Sequence, residues 1–303
     1  MGPEGPIERQ FLASNGADPM LTMSALWQGP TDRQMRLEAD SVSRAMSTRE
    51  GPASLLINRR NGGAVARAWG PGAHAAMELV PGLIGAEDDP TALRPLHPLV
   101  AELVRTRPGL RLTRSGSVID ALVVSILGQK VTAIEAHRAH RGLLDRYGEA
   151  APGPLGLRLP PTPEVLARLP YWAFHPLGVE RRRADTIRAA AAVAPQLEAI
   201  SRLTPEAGKR RLLSLSGVGE WTAAETMRLA LGDPDAVSVG DFHLPRLICA
   251  ALANEPNGTD ARMLELLEPY RGQRARVALL IEHGGQHQQR RAPRMAARSI
   301  AAI

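Results

Sequence analysis

Apolar and polar positions follow a short period over the first seventy residues and then change to a helical spacing. Residues 21–27, 41–46, 53–59 and 64–69 read as strands, and Asn61-Gly62-Gly63 joins the last two as a tight hairpin turn. Ala73, Met77 and Val80 follow three or four apart, which predicts a short helix on that sheet. From Ser117 onward, Ile119, Leu122, Val123, Ile126 and Leu127 line one helix face. A second helix is expected over 132–147, ended by Gly148. A Pro/Gly-rich loop follows over 151–163, and then helices near 164–170, 181–194, 205–215, 220–231, 242–253 and 260–282. The pattern predicts an α+β chain, a small antiparallel sheet unit followed by an all-α portion. The expected divisions are an arm without period, rich in Gly and Pro and flexible (1–20), a sheet unit (21–112), a helical core (113–283) and a flexible basic tail (284–303). There is no internal repeat.

Composition narrows the class. The 303 residues exceed one small module, and 44% hydrophobic with 22% charged residues is ordinary for a globular protein. No run reaches the roughly 20 apolar residues of a membrane helix. The N-terminus carries Glu4 and Glu8 without an apolar stretch, so no secretory leader is expected. Cys249 is the only cysteine, which excludes an internal disulfide and a Cys-rich metal centre and makes a cytoplasmic setting the default. The net charge of +6 favours a polyanionic partner. Lys130 and Lys209 are the only lysines, and GC-rich coding yields the same arginine bias, so charge alone does not decide. His283 and His287 have metal-like spacing but lack a third ligand nearby, and no metal is expected there. His137 and His140 lie on an Arg-rich helix and read as surface or phosphate-contacting residues.

The informative stretch is 204–246. Thr204-Pro205-Glu206 starts a helix, Ser216-Gly217-Val218-Gly219 breaks it, and a second helix begins near Glu220. Glycines permit a tight turn and close approach of a partner, and the free N–H groups of the second helix suit a phosphate. Such a hairpin grips one DNA strand by its backbone; the plain alternative is a helix–helix corner. Further on, the apolar run 236–239 ends at Gly240, and Asp241 stands at the start of a helix carrying Leu244, Leu247 and Ile248. Asp241 reads as a helix cap, a catalytic carboxylate, or both.

These residues carry a resemblance. Leu-Ser-Leu-Ser-Gly-Val-Gly-Glu-Trp-Thr-Ala (213–223), followed by Val-Gly-Asp-Phe-His-Leu (239–244), resembles the helix-hairpin-helix glycosylase superfamily, and within it the bacterial alkylpurine (3-methyladenine type) DNA glycosylases. Arg107-Pro108-Gly109-Leu110-Arg111-Leu112 with Ile126-Leu127-Gly128-Gln129, Leu177-Gly178-Val179 with Arg183-Ala184, and Pro269-Tyr270-Arg271 are similar to further family motifs. The similarity covers about residues 20–282. It implies a sheet like half of a TATA-binding-protein fold and a monomer acting on damaged double-stranded DNA near the nucleoid, with no obligate protein partner, no membrane and no required cofactor. It implies Asp241 as the carboxylate that stabilises an oxocarbenium-like state once the damaged base has flipped into a pocket. It places Trp221, Phe242 and Tyr270 at or near that pocket, where core packing is the alternative. Glu225 stands one turn after Trp221 where relatives carry an aromatic, and it either favours a cationic base or faces solvent. Gly217, Val218, Gly219, Glu220, Thr222, Gln129 and Lys130 become the DNA-contacting set. Either Gln129 or Lys130 fills the gap left by the flipped base, or Lys130 meets phosphate or solvent. His243 is expected near DNA. The carbonyls of Leu215 and Gly217 are the candidates for a monovalent Na+ or K+. Strand-cutting relatives place a lysine where this chain has Trp221, and Lys209 reads as solvated, so hydrolysis without strand cutting is expected. The alternatives are a bifunctional glycosylase/lyase on oxidised bases and a non-catalytic DNA-binding protein.

Overall fold

The computed structural model of the chain describes residues 5–12 and 16–284. Five antiparallel strands form one sheet in the order β1-β5-β4-β3-β2: β1 is Ile7–Leu12, β2 Met35–Leu37, β3 Ser41–Thr48, β4 Gly51–Arg60 and β5 Gly63–Trp69. The Asn61-Gly62 turn joins β4 to β5 with Gly62 at a φ of 77°, the left-handed conformation this turn requires. Leu55 pairs with Ala68 and Ile57 with Ala66, so one face presents a buried apolar row. Helix α2 (Ala73–Leu83) covers that row with Met77, Val80 and Leu83. The α+β reading is thus borne out.

Two readings of the N-terminal region are corrected. Residues 21–27 are helical: α1 is Pro19–Met23, followed by a 3-10 turn at Ser24–Leu26. Asp18 caps α1 by accepting from the N–H groups of Met20 and Leu21, and Met20, Met23 and Leu26 are buried at helical spacing. The stretch read as a free arm contains β1, which pairs along β5 from Ile7 opposite Ala68 to Leu12 opposite Gly63. An edge strand buries only part of one side, so it leaves little alternation to read. The expected basic tail, with His287, lies outside the described residues apart from Gly284.

The remaining helices are α3 (Pro98–Thr106), α4 (Val118–Leu127), α5 (Ala133–Tyr147), α6 (Pro163–Arg168), α7 (Tyr171–Phe174), α8 (Arg181–Ala192), α9 (Ala194–Glu198), α10 (Pro205–Leu213), α11 (Glu220–Leu231), α12 (Leu244–Ala253), α13 (Asp260–Leu267) and α14 (Arg274–Gly284). Side-chain caps set several starts: Ser117 for α4, Thr132 with Glu135 as a capping box for α5, and Thr204 for α10. One core runs from the sheet through α4 to α8 and α11, joining Ile57, Leu122, Ile126, Ile187 and Met227. A second core joins Val100 and Leu103 of α3 with Ile248, Met263, Leu267, Val277 and Ile281 of the last three helices. α3 therefore belongs with the C-terminal helices, although it precedes the expected start of the helical portion at 113.

His140 is buried where α5 faces the sheet. Its Nδ1 stands 3.9 Å from Asp32 Oδ1, and burial first, then Arg44 and His137, lower its pKa against the pull of Asp32. It is not a surface or phosphate-contacting residue. His137 is half-buried.

Candidate active site

The loop from α11 to α12 crosses between the two cores, and the candidate site forms along it. Asp235 anchors the loop at one end: its Oδ1 accepts from Gly272 N (2.8 Å), Arg274 N and Arg274 Nε, and its Oδ2 accepts from Arg274 Nη2. Burial opposes the Asp235 charge, but these donors prevail and hold its carboxyl below the usual range. At the other end, Gly240 N donates to Asp260 Oδ1 at 3.0 Å. Gly240 has a φ of 89°, a left-handed bend that sends the chain into Asp241.

Asp241 is both a cap and a presented carboxylate. Its Oδ1 accepts from His243 N (2.7 Å) and Leu244 N (2.8 Å) at the start of α12. Its Oδ2 accepts from Trp221 Nε1 at 3.0 Å. Trp221 is the second residue of α11, so the hairpin and the loop meet at this contact. The far edge of its indole lies against Gly128, where a side-chain carbon would stand 3.3 Å from Cη2.

The turn between α10 and α11 is seated by close packing. Gly217 has a φ of 87°, and a Cβ there would fall 2.1 Å from Thr186 Oγ1 of α8. Gly219, at the start of α11, has open space around it. Gln129, just after α4, clamps the turn: its Nε2 donates to Gly217 O (2.9 Å) and to Thr222 Oγ1 (2.8 Å). Arg183 is buried and donates to Leu127 O at 2.8 Å and Gly178 O at 3.1 Å, tying the end of α4 to the loop before α8.

The residues expected to contact DNA therefore divide. Val218 and Thr222 are buried and Gln129 is held by the hairpin, so these three hold the turn from within. Gly219, Glu220 and Lys130 are exposed; Glu220 pairs with Lys209 at 2.6 Å, and Lys130 adopts a left-handed φ of 53°. The expected pocket aromatics divide as well. Phe242 is 68% exposed, edge-on to the His243 ring and 5.1 Å beneath the Arg246 guanidinium. Tyr270 is only 5% exposed, sits in the second core, and its hydroxyl accepts from His97 N at 2.9 Å. Tyr270 is a core residue, not an accessible base platform. The carbonyls of Leu215 and Gly217 already accept from Val218 N and Gln129 Nε2. Among the described residues no cluster of His, Cys, Asp and Glu has metal-ligating geometry.

Glu225 does not face solvent alone. It pairs with Arg228 at 2.6 Å and accepts from the Ser238 hydroxyl. Burial works against the Arg228 charge, but Glu225 and Glu282 outweigh it and hold its pKa above the ordinary value. Glu282, near the end of α14, was not anticipated. Crowding by protein first, then Glu225 and Asp241, push its carboxyl up to about 7 against the pull of Arg228. Its only sequence trace is a lone acidic residue at the end of an apolar run, far from any motif.

No family model matches the chain. It is 25% identical over 144 residues to "Putative DNA-3-methyladenine glycosylase YfjP" of Bacillus subtilis, a match covering 46% of this chain and 49% of that protein, so the chain spans about half the length of that relative. It is similar to the 3-methyladenine DNA glycosylase of Archaeoglobus fulgidus, with a TM-score of 0.77 and 18% identity over 90% of this chain and 96% of that one. It is also similar to the apo-form of an 8-oxoguanine glycosylase/lyase of Clostridium acetobutylicum, with a TM-score of 0.70 and 13% identity over 93% and 99%. The chain shares its fold with these two DNA glycosylases. The resemblance to 3-methyladenine-type members carried by the hairpin and the Asp241 segment is borne out by these similarities. Among the described residues no helix is long and apolar enough to cross a membrane.

Proposed function

We propose that the chain is a monofunctional DNA glycosylase that hydrolyses the N-glycosidic bond of alkylated purines in base excision repair. The observation that carries this reading is the Trp221–Asp241 contact, which fixes a half-buried carboxylate beside an indole at the mouth of a helix-hairpin-helix turn. The two similar proteins named for 3-methyladenine support the alkylpurine reading over the oxidised-base one.

The hairpin offers the open backbone at Gly219 and the N-terminus of α11 to a phosphate of double-stranded DNA. Exposed Phe242, Arg246 and Lys130 surround the site and meet the distorted duplex. The damaged nucleotide leaves the stack, and its base lies against the Trp221 indole, whose face attracts a cationic purine. As the C1′–N bond lengthens, positive charge develops on the sugar and Asp241 stabilises it. Water then adds to C1′. Lys209 is paired with Glu220, and an indole stands where a Schiff-base lysine would be needed, so the strand is left uncut. The protein acts as a monomer, and its sheet corresponds to half of a TATA-binding-protein fold.

The test is release of 7-methylguanine and 3-methyladenine from alkylated duplex DNA by the wild type and Asp241→Asn. The wild type releases both bases and Asp241→Asn falls by at least about 100-fold, the scale of losing a preorganised electrostatic group. Equal release by the two proteins, or none by the wild type, would overturn the reading. A covalent adduct trapped by borohydride would replace it with a glycosylase/lyase.

A further inference from the structure

Phe242 follows Asp241 directly, yet it is apolar and 68% exposed. The Asp241 carboxylate holds it there. Its Oδ1 accepts from His243 N at 2.7 Å and Leu244 N at 2.8 Å, so the chain loops around that oxygen with Phe242 at the apex of the turn. Phe242 belongs to neither core. Its ring is flanked by His243, edge-on with centroids 4.9 Å apart, and by the Arg246 guanidinium, 5.1 Å from the ring centroid. Arg246 is exposed and stands in the first turn of α12, where the positive end of the helix dipole disfavours a cation. Among the described residues no carboxylate pairs with it. A lone exposed aromatic or a lone exposed arginine is ordinary on a protein surface. Here the two are stacked together beside the carboxylate proposed to do the chemistry. The ring lacks a flat partner and the guanidinium lacks an anion, and a nucleotide supplies both.

We propose that Phe242 and Arg246 form a second nucleotide subsite, which takes the base and a phosphate next to the damaged nucleotide and makes base release depend on the lesion's neighbours. The proposal rests on the glycosylase reading. When the damaged nucleotide leaves the stack, the base beside it on the same strand loses a stacking partner. The two rings approach the carboxylate through its two oxygens: Trp221 donates to Oδ2, and the turn that carries Phe242 closes on Oδ1. Trp221 takes the flipped base, and Phe242 takes its neighbour. Successive Cα atoms are about 3.8 Å apart, so a sugar held at Asp241 brings the adjoining nucleotide to the Phe242 ring. That base stacks on the ring face away from Arg246, and the Arg246 guanidinium binds a phosphate of the same strand. Every base has a face to stack, so the subsite accepts any neighbour, but a purine offers more surface than a pyrimidine. The Phe242 contribution is therefore larger beside a purine.

The experiment measures single-turnover release of 7-methylguanine, at sub-saturating protein, from duplexes whose 5′ or 3′ neighbour of the lesion is either intact or an abasic spacer. The spacer keeps the phosphates and has no base to stack. With both neighbours intact, Phe242→Ala lowers the rate by roughly 5–100-fold, the scale of one base–aromatic stack, and Phe242→Trp restores it. On one of the two spacer duplexes the wild type falls to the level of Phe242→Ala, and the variant loses nothing further. Arg246→Gln weakens binding to all the duplexes alike and reduces the slope of log affinity against log salt by about one. Should Phe242→Ala melt below the wild type, Phe242→Leu, apolar but without a ring, takes its place. A Phe242→Ala loss that is the same on the intact and both spacer duplexes overturns the proposal. So does a rate unmoved by Phe242→Ala, or a salt slope unmoved by Arg246→Gln. Failure of the wild type to release 7-methylguanine from any duplex overturns the glycosylase reading instead.

Discussion

The two oxygens of Asp241 answer to different partners: Oδ1 to the backbone of α12, Oδ2 to the indole of Trp221. The first contact fixes where the carboxylate stands, and the second fixes which way it faces. Trp221→Phe keeps an aromatic ring but removes both the N–H and the far edge of the indole that lies against Gly128. A hydrogen bond to a charged group contributes about 1.5–3 kcal/mol, so single-turnover base release should fall about 10–100-fold. An unchanged rate would show that the indole N–H does not orient the carboxylate. Glu282 supports a prediction of another kind. Its folded-state pKa, near 7, lies above that of an unfolded glutamate, so the folded protein binds this proton more tightly. Its contribution to stability is therefore fully present at acid pH and is lost as pH rises through about 7. Glu282→Gln, which cannot ionise, should melt at a higher temperature than the wild type at pH 8, with the gap closing toward pH 5. Thermal melts at the two pH values check this, and a gap independent of pH would contradict it. Asp241 and Trp221 were legible because they lie within one continuous motif. Glu282 was not, because its neighbours come from α11 and the α11–α12 loop, brought beside α14 only by the packing of the two helical lobes.

Within the hairpin the two glycines do different work, although the sequence presents them as one Gly-Val-Gly unit. Gly217 is fixed by packing, because its left-handed backbone and the Thr186 hydroxyl leave no room for a methyl group. Gly219 has an extended backbone that any residue adopts, with φ −104° and ψ −176°, and nothing within reach of a Cβ. Gly217→Ala should therefore destabilise the protein by about 2 kcal/mol or more in urea unfolding, from strain and overpacking together. Gly219→Ala should leave the unfolding midpoint nearly unchanged and weaken duplex binding, since its methyl group would stand where a phosphate approaches. Equal stability of the two variants would refute this division. The start of α10 was legible from Thr204, which caps in the structure as its residue type suggests. Residues 21–27 were misread because an apolar run so short fits a strand as well as a helix turn. The Asp18-Pro19 start, which decides the matter, lay inside the stretch read as an arm.

At the scale of the whole molecule, a buried ion pair among the described residues joins the sheet unit to the C-terminal helices. Arg276 of α14 meets Asp88, in the segment after α2, through Nη1 at 2.7 Å and Nη2 at 2.5 Å, and both side chains are buried. Asp88 Oδ2 also accepts from Leu112 N at 3.1 Å, which draws in the strand-like stretch that leads to α4. The sequence separates these residues by 188 positions and gives no sign of the contact, which is why the division at 112 was drawn from periodicity alone. The clasp matters to the site because α14 also carries Arg274, which anchors the Asp241 loop through Asp235, and Glu282. Asp88→Asn keeps the volume but leaves the buried guanidinium without its countercharge. Breaking such a pair from one side costs about 3–5 kcal/mol, whereas replacing both partners by apolar groups is often neutral. Asp88→Asn should therefore lower the unfolding free energy by that amount, and Asp88→Leu with Arg276→Met should recover most of it. Base release by the surviving folded fraction of Asp88→Asn should fall as well, because α14 positions the loop beneath Asp241. If the double variant is as unstable as Asp88→Asn, the contact serves through its hydrogen-bond geometry rather than its charge balance. If stability falls while the rate per folded molecule is unchanged, the clasp holds the lobes together without setting the position of the site.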